Sequence, residues 1–307
     1  MALLHQLRSH AAEAVRGRRA RNLGVCGAFR QEQKLADVWF RSHFAHAADE
    51  IASWLGQAKV DLRSARILDF GCGDGVTALG VARRHVPCEL VGVDLHSAFS
   101  QLATKAAHQI NLALLPDNLH FARIEPGQPV AALGPFDCIY SWSVFEHIDC
   151  DLLPNVMADM YASLRPGGVF LIQIEPLFYS PFGSHLNGLL PRPWGHLATS
   201  SEELVRSVER ASRDDVLPKH RDQAFESLSF PDYKEFLLRE FRSLNRITPA
   251  RLASMANRAG FIIEKSATKR LPQLVHLALL TQQPRLLSLY SLQSLVTSEM
   301  RLLLRRP

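Results

Sequence analysis

The sequence predicts an α/β fold in which a seven-stranded, mostly parallel sheet carries helices on both faces. Three observations predict it. Between Arg66 and Ile174, short apolar strand-like runs alternate with helix-like runs, the sign of a parallel sheet covered on both sides. The first run, Arg66-Ile67-Leu68-Asp69-Phe70, opens into Gly71-Cys72-Gly73-Asp74-Gly75, with glycines at alternate positions. The second, Leu90-Val91-Gly92-Val93-Asp94, also ends in an acid. With 307 residues, 47% hydrophobic and 21% charged, the chain has length enough for a large core. The expected organisation is a helical extension over 1–60, a core from 61–176 and 248–307, and an insert over 177–247.

Phe40, Phe44, Ala47, Ile51, Trp54 and Leu55 recur at intervals of three and four, so a helix from about Gln31 to Leu55 carries one apolar stripe. It is expected to cover the sheet edge or the mouth of a site, with His43 and His46 on or beside its polar face. Strand one spans 66–70, followed by a helix over 75–85 and strand two over 88–94. A helix from about Ser97 to Leu114 is stopped by Pro116; strand three runs Leu119 to Arg123 and strand four Phe136 to Ser141. A helix near Pro154 to Leu164 ends at Arg165-Pro166-Gly167-Gly168, which launches strand five, Val169 to Ile174. Right-handed crossovers then bring the strand ends near Gly71, Asp94, Glu125 and Ser141 to one rim, where open α/β sheets bind ligands.

After Glu175-Pro176 some 70 residues pass before the next periodic element, and an insert of that length in a compact domain is usually functional. Its aromatics and histidines, among them Tyr179, His185, Trp194 and His196, mix with Pro and Gly and suggest a shaped cover over a substrate. Thr248-Pro249 begins a helix that Gly260 ends, and Phe261 to Lys265 is strand six. Either Leu274 to Thr281 or Met300 to Leu304 supplies the last strand; the terminal segment is favoured, because Leu286, Leu289, Leu292 and Val296 recur at helical spacing.

The glycine loop excludes some nucleotide readers. A dinucleotide fingerprint needs glycine at 76, where Val76 stands, and a P-loop needs Gly-Lys-Ser/Thr. Asp69, two residues before the first glycine, would repel a pyrophosphate but can orient the amino group of a zwitterion. Asp94 is placed to accept ribose hydroxyls. The segment Asp69 to Gly75 resembles motif I of the class I S-adenosylmethionine-dependent methyltransferases, which have a Rossmann-like fold, and Asp94 matches that family's ribose acid. The resemblance runs over about 110 residues. Phe136-Asp137 matches the usual start of strand four, Leu164 to Gly168 the turn before strand five, and Ser141 to Ile148 the Glu-His loop of small-molecule enzymes similar to those of the ubiquinone pathway.

The resemblance implies S-adenosyl-L-methionine as cofactor, held by Asp69, Gly71, Cys72, Gly73, Gly75, Asp94, Leu95, Glu125 and Ser141, with Glu125 toward the adenine. It implies methyl transfer to a small or lipid-linked molecule, most readily on oxygen. A hydroxyl acceptor needs a base near neutral pKa; His147 is the first candidate and His185 the second, with Tyr179, His185, Trp194 and His196 toward the substrate. Glu146 and His147 are adjacent, Ser143 stands where a further carboxylate would help, and no third ligand is evident, so no required metal is expected. Two other classes stay open: a cofactor-binding regulator without turnover, and, disfavoured by Val76 and Asp69, a nicotinamide-dependent dehydrogenase.

The net charge is +5, and much of it lies in the first 21 residues, a basic segment read as a solvated helix, with contact to an anionic membrane surface or nucleic acid, or organelle targeting, as the alternatives. No run of 18 apolar residues exists to cross a bilayer, no dense basic stripe marks a nucleic-acid surface, and five cysteines without a C-x-x-C fit a reducing cytoplasm. The oligomeric state leaves no trace in the sequence.

Overall fold

The structure, a computed structural model, describes residues 37–186, 188–190, 192–216, 223–271 and 284–307. The basic first 21 residues and the alternative last strand at 274–281 lie outside the described residues.

Asp37, the first of the described residues, accepts the backbone N–H groups of Trp39 and Phe40, which satisfies two otherwise orphaned donors of α1 (Val38–Arg41). A π-helical turn, Ser42–Ala47, passes into α2 (Ala48–Gln57). The core then alternates: β1 (Arg66–Phe70), α3 (Val76–His85), β2 (Glu89–Asp94), α4 (Leu102–Ile110), β3 (Leu119–Arg123), β4 (Phe136–Trp142), α5 (Leu153–Ser163) and β5 (Leu164–Ile174). The expected long helix over 97–114 is shorter. A 3-10 turn over Ala98–Gln101 precedes α4, and Asn111 in the left-handed region at φ 52° ends it.

Between β5 and α10 (Pro249–Arg258) lie α6 (Gly195–Ala198), α7 (Ser201–Arg210), α8 (Gln223–Ser227) and α9 (Phe230–Ser243). Leu186, Leu204, Val208, Val216, Tyr233 and Leu237 give this insert an apolar cluster of its own. β6 (Ile262–Arg270), α11 (Leu286–Leu289), α12 (Leu292–Val296) and β7 (Thr297–Arg305) complete the chain.

The seven strands lie in the order β3-β2-β1-β4-β5-β7-β6. β7 is antiparallel to both of its neighbours, and the pairs from β3 through β5 are parallel. The terminal segment is therefore the last strand, inserted between β5 and β6, as its unbroken apolar run Leu302-Leu303-Leu304 requires of a strand buried on both faces. β5 begins at Leu164, five residues before its expected start, because Leu164 pairs with Phe136 and the Gly167–Gly168 turn exchanges backbone hydrogen bonds with Arg306.

Alternate residues of the strands feed opposite cores. Ile67, Tyr140, Leu171 and Leu303 pack against α2 and α3, whereas Leu68, Ile139, Phe170, Ile172 and Leu304 meet Met157, Met160, Leu252 and Met255 of α5 and α10. The N-terminal helices thus close one face of the sheet through α3, and Arg84 of α3 reaches Asp49 of α2 at 2.6 Å. The approach is close enough that Gly80 has no room for a side chain: a Cβ there would stand 2.1 Å from the Phe44 carbonyl oxygen. Gly80→Ala should therefore lower the unfolding free energy by about 2 kcal/mol or more, read by urea denaturation. An unchanged midpoint would mean that the N-terminal helices do not seat on α3.

Candidate active site

The parallel register puts the C-terminal ends of β1, β2, β4 and β5 on one rim, with β1 central between β2 and β4. The glycine loop leaves β1 there. The N–H groups of Gly71 and Cys72 both donate to the Val93 carbonyl at the end of β2, and Gly73 donates to Asp94 Oδ2 at 2.8 Å. Asp94 Oδ1 also accepts from His96 N–H at 2.8 Å, so its carboxylate is fixed by two backbone donors beside the loop. Gly73 sits at φ 55° with nothing within 4 Å of where a Cβ would be; the loop presents bare backbone to open space there.

That space is a cavity of about 490 Å³. Its lining includes Asp69, Gly71, Cys72, Gly73, Asp74 and Thr77 from β1 and the loop, Trp39 and His43 from the N-terminal helices, and Trp142 and Ser143 after β4. Ala98, Lys105 and Ser227 complete it, and Ala98 and Lys105 also border a second, more open cavity of about 500 Å³ past His96 and Ser97. The Trp39 and His43 rings stack at 4.0 Å, while Lys105 pairs with Asp74 at 2.8 Å.

Asp69 gives the cavity its chemical character. The residue is 2% exposed, and Tyr140 donates its hydroxyl to Oδ2 at 2.9 Å. Burial raises the carboxyl from its ordinary range to about 8; the Tyr140 hydrogen bond lowers it, and nearby Asp94 raises it further. A buried carboxyl that faces a cavity with one neutral donor ionises more readily when a cation sits beside it, so the position suits a cationic group. The cavity, the bare backbone at Gly73 and the two acids at adjacent strand tips fit a ligand that joins an amino-acid end to a nucleoside.

A second group lies beyond β4 and β5. Glu146 and His147 follow β4 in the loop that the Asn245 side chain braces, its Nδ2 donating to the Phe145 carbonyl at 2.6 Å and the Ile148 carbonyl at 2.7 Å. His185 reaches them from the insert, its ring 5.2 Å from that of His147. Burial pushes both imidazoles down, His185 to about 4, so both are neutral at pH 7. Glu146 is 2% exposed, and burial lifts its carboxyl to about 8.

The other expected residues are placed as follows. Leu95 is exposed at the rim and its carbonyl accepts from Arg123 Nε; Glu125 is exposed and pairs with Arg123 at 3.0 Å. Ser141 is buried in β4, its hydroxyl without a partner. Gly75 abuts Phe121 and Leu102, so its bare Cα serves packing. Tyr179 lies 5.1 Å from Tyr290, ring to ring. His196 is buried and bonds the Phe178 carbonyl through Nε2. Trp194 is enclosed by Leu286, Leu295 and Val296, and its Nε1 donates to the Leu295 carbonyl at 3.0 Å, so its contact is with the C-terminal helices.

Sequence reasoning missed Trp39, Trp142, Lys105 and Gln173. Trp39 carried a signal, standing one helical turn before His43. Gln173 carried none: it holds Ser143, itself at φ 56°, through Oε1 and is held by Glu299, which pairs with Arg301.

A profile described as a methyltransferase domain matches residues 40–266. The chain is 31% identical over 110 residues to trans-aconitate 2-methyltransferase of Deinococcus radiodurans, covering 36% of this chain and 38% of that protein. It is 27% identical over 207 residues to a ubiquinone biosynthesis O-methyltransferase of Psychrobacter arcticus, covering 66% and 62%. It thus spans less than two thirds of either relative. Among solved structures it is similar to magnesium protoporphyrin IX methyltransferase from Synechocystis with bound SAH, at TM-score 0.47 and 12% identity over 96% of this chain and 95% of that one.

The buried acid dictates a pH dependence. Folded Asp69 keeps its proton up to about pH 8, whereas the unfolded chain loses it near 4. The folded state therefore binds the extra proton in that window, and stability falls as pH rises through it. Asp69→Asn should make the decline between pH 5 and 8 shallower, measured by denaturation at each pH. A slope identical to that of the unaltered chain would contradict the burial of this charge.

Proposed function

The chain belongs to the S-adenosylmethionine-dependent methyltransferase family, and we propose that it transfers a methyl group to an oxygen of a small or lipid-linked acceptor. The observation that carries the proposal is the pair of histidines, His147 and His185, whose rings lie 5.2 Å apart beside the loop that follows β4, the same loop whose start gives Ser143 to the Asp69 cavity. S-adenosylmethionine, the cofactor of the family, supplies when bound an electrophilic methyl group on a positively charged sulfur.

The residues of this chain do the rest. Asp94, already fixed by two backbone donors, accepts ribose hydroxyls; Asp69 takes the cationic amine that its burial calls for; Glu125 and Leu95 lie toward the base. Trp39 and Trp142 narrow the cavity with apolar surface and keep water from the reacting centre. An oxygen acceptor gives up its proton as the new bond forms; His147 accepts that proton, and His185, which burial pushes to about 4, stands against its ring. The insert over 177–247 acts as the cover on the acceptor side, with Tyr179, His185 and His196 toward the substrate and Trp194 fastening the cover to α11 and α12.

A regulatory reading has one specific support: the chain is 28% identical over 167 residues to a secondary metabolism regulator of Aspergillus flavus, which covers 50% of this chain and 39% of that protein. Turnover separates the two. Titration with S-adenosylhomocysteine in a calorimeter should show binding that Asp94→Ala weakens at least tenfold, about 1.4 kcal/mol. With a panel of hydroxylated and aminated acceptors, methyl transfer should favour the hydroxylated ones. His147→Gln and His185→Gln should each lower kcat about a hundredfold or more and leave product affinity unchanged. Preference for amines with both histidine variants fully active would overturn the oxygen assignment, and binding without any turnover would favour the regulator.

A further inference from the structure

Ser143 stands in the left-handed region at φ 56°, a conformation that residues with a side chain rarely adopt unless their surroundings hold them there. Gln173 does the holding. The Ser143 N–H donates to the Gln173 backbone carbonyl at 3.0 Å and to Gln173 Oε1 at 3.1 Å, and the Ser143 hydroxyl donates to the same Oε1 at 3.0 Å. At this bend β4 passes into the wall of the cavity, which Trp142 and Ser143 both line. Val144, next in the chain, presses so closely on the glycine loop that a Cβ on Gly71 would stand 2.4 Å from its Cγ2.

The orientation of the Gln173 amide is decided farther from the cavity. Two donors on Ser143 require an oxygen opposite them, so Nε2 points the other way, where it donates to Glu299 Oε1 at 3.3 Å. Glu299 lies buried on β7, and Arg301 grips it with Nε at 2.6 Å and Nη2 at 2.5 Å. The same Nη2 reaches Glu50 on α2 at 2.7 Å. The Arg301 guanidinium also sits over two indoles, 5.4 Å from the ring of Trp142 in the cavity wall and 5.8 Å from that of Trp54 on α2. A line of polar contacts therefore runs from the N-terminal helix through β7 and β5 to the cavity mouth. Buried ionic lines of this kind add little stability over apolar residues of the same size. They do fix the directions of donors and acceptors, which apolar packing cannot.

We propose that Gln173 is a positioning residue for the cofactor cavity and that the Glu50–Arg301–Glu299 chain imposes its setting, so that the seating of α2 against β7 determines the shape of the cavity mouth. The inference rests on the reading of that cavity as the cofactor site. Loss of any member of the chain frees the amide to turn. With Nε2 toward Ser143, donor would face donor, and the bend at Ser143 would relax. Trp142 and Val144 would shift with it, and so would the start of the loop that carries His147.

The test uses the full chain and reads three quantities: affinity for S-adenosylhomocysteine by calorimetry, amide hydrogen exchange over 142–147 without ligand, and Tm. Gln173→Leu, which keeps the volume, and Glu50→Gln, which lies on α2 outside the cavity, should each weaken binding about tenfold and speed exchange over 142–147. Gln173→Glu should do the same, because it sets a second carboxylate against Glu299. Adding Glu299→Gln to it places one amide donor between the new carboxylate and Ser143's side of the chain again, and affinity should return to within about threefold of the unaltered protein. A line that only braced the sheet would lower Tm without moving affinity or this local exchange. Unchanged exchange or unchanged affinity in both Gln173→Leu and Glu50→Gln, or a double variant no better than Gln173→Glu, overturns the proposal. Exchange is read without ligand, so failure of this chain of contacts is distinguishable from failure of the cofactor reading, which titration of the unaltered protein alone decides.

Discussion

The site depends on one constraint: two carboxylates at the tips of adjacent parallel strands must be reconciled with a glycine loop that passes between them. Asp94 does so through geometry, because it collects the N–H groups of Gly73 and His96 and so determines where the loop can lie. Asp69 stays under tension, buried behind the loop with the Tyr140 hydroxyl as its hydrogen-bond partner. An uncompensated acid in such a position costs folding energy as soon as it ionises. A cationic ligand in the cavity relieves that cost, so the same burial that weakens the protein at high pH favours a ligand bearing an amine.

The remainder of the fold holds this rim in place. β7 runs antiparallel between β5 and β6, and its Glu299 and Arg301 reach both ways: to Gln173, which grips Ser143 at the mouth of the cavity, and to Glu50 on the N-terminal helix, 2.7 Å from Arg301. The helix that brings Trp39 and His43 to the cavity is thereby tied to the strand that shapes its opposite wall. The two faces of the sheet carry separate apolar clusters, and the insert adds one of its own.

Much of this was legible in the sequence because it is periodic or local. The strand runs β1 to β5, the stop after Gly260 and the choice of Met300 to Leu304 as the last strand follow from apolar spacing and turn residues. The pairing of the glycine loop with Asp94 follows from strand adjacency alone. What was not legible depends on long-range geometry. Nothing near His185 tells that the insert returns it to Glu146, 39 positions earlier in the chain, or that Asn245 braces the intervening loop. Adjacency in sequence brings together Glu146 and His147, and only folding brings His185 near them. Trp194 shows the opposite limit: an aromatic among prolines and glycines suggests a binding surface, yet here its ring serves the packing of the insert on α11 and α12.

The most direct test of the central claim is a crystal structure of the full chain with S-adenosylhomocysteine. The account predicts ribose hydroxyls on the Asp94 carboxylate and the amino-acid end over Gly73, its ammonium on the side of Asp69. A product bound elsewhere on the chain, or bound at the loop with Asp69 and Asp94 both facing away from it, would contradict the account.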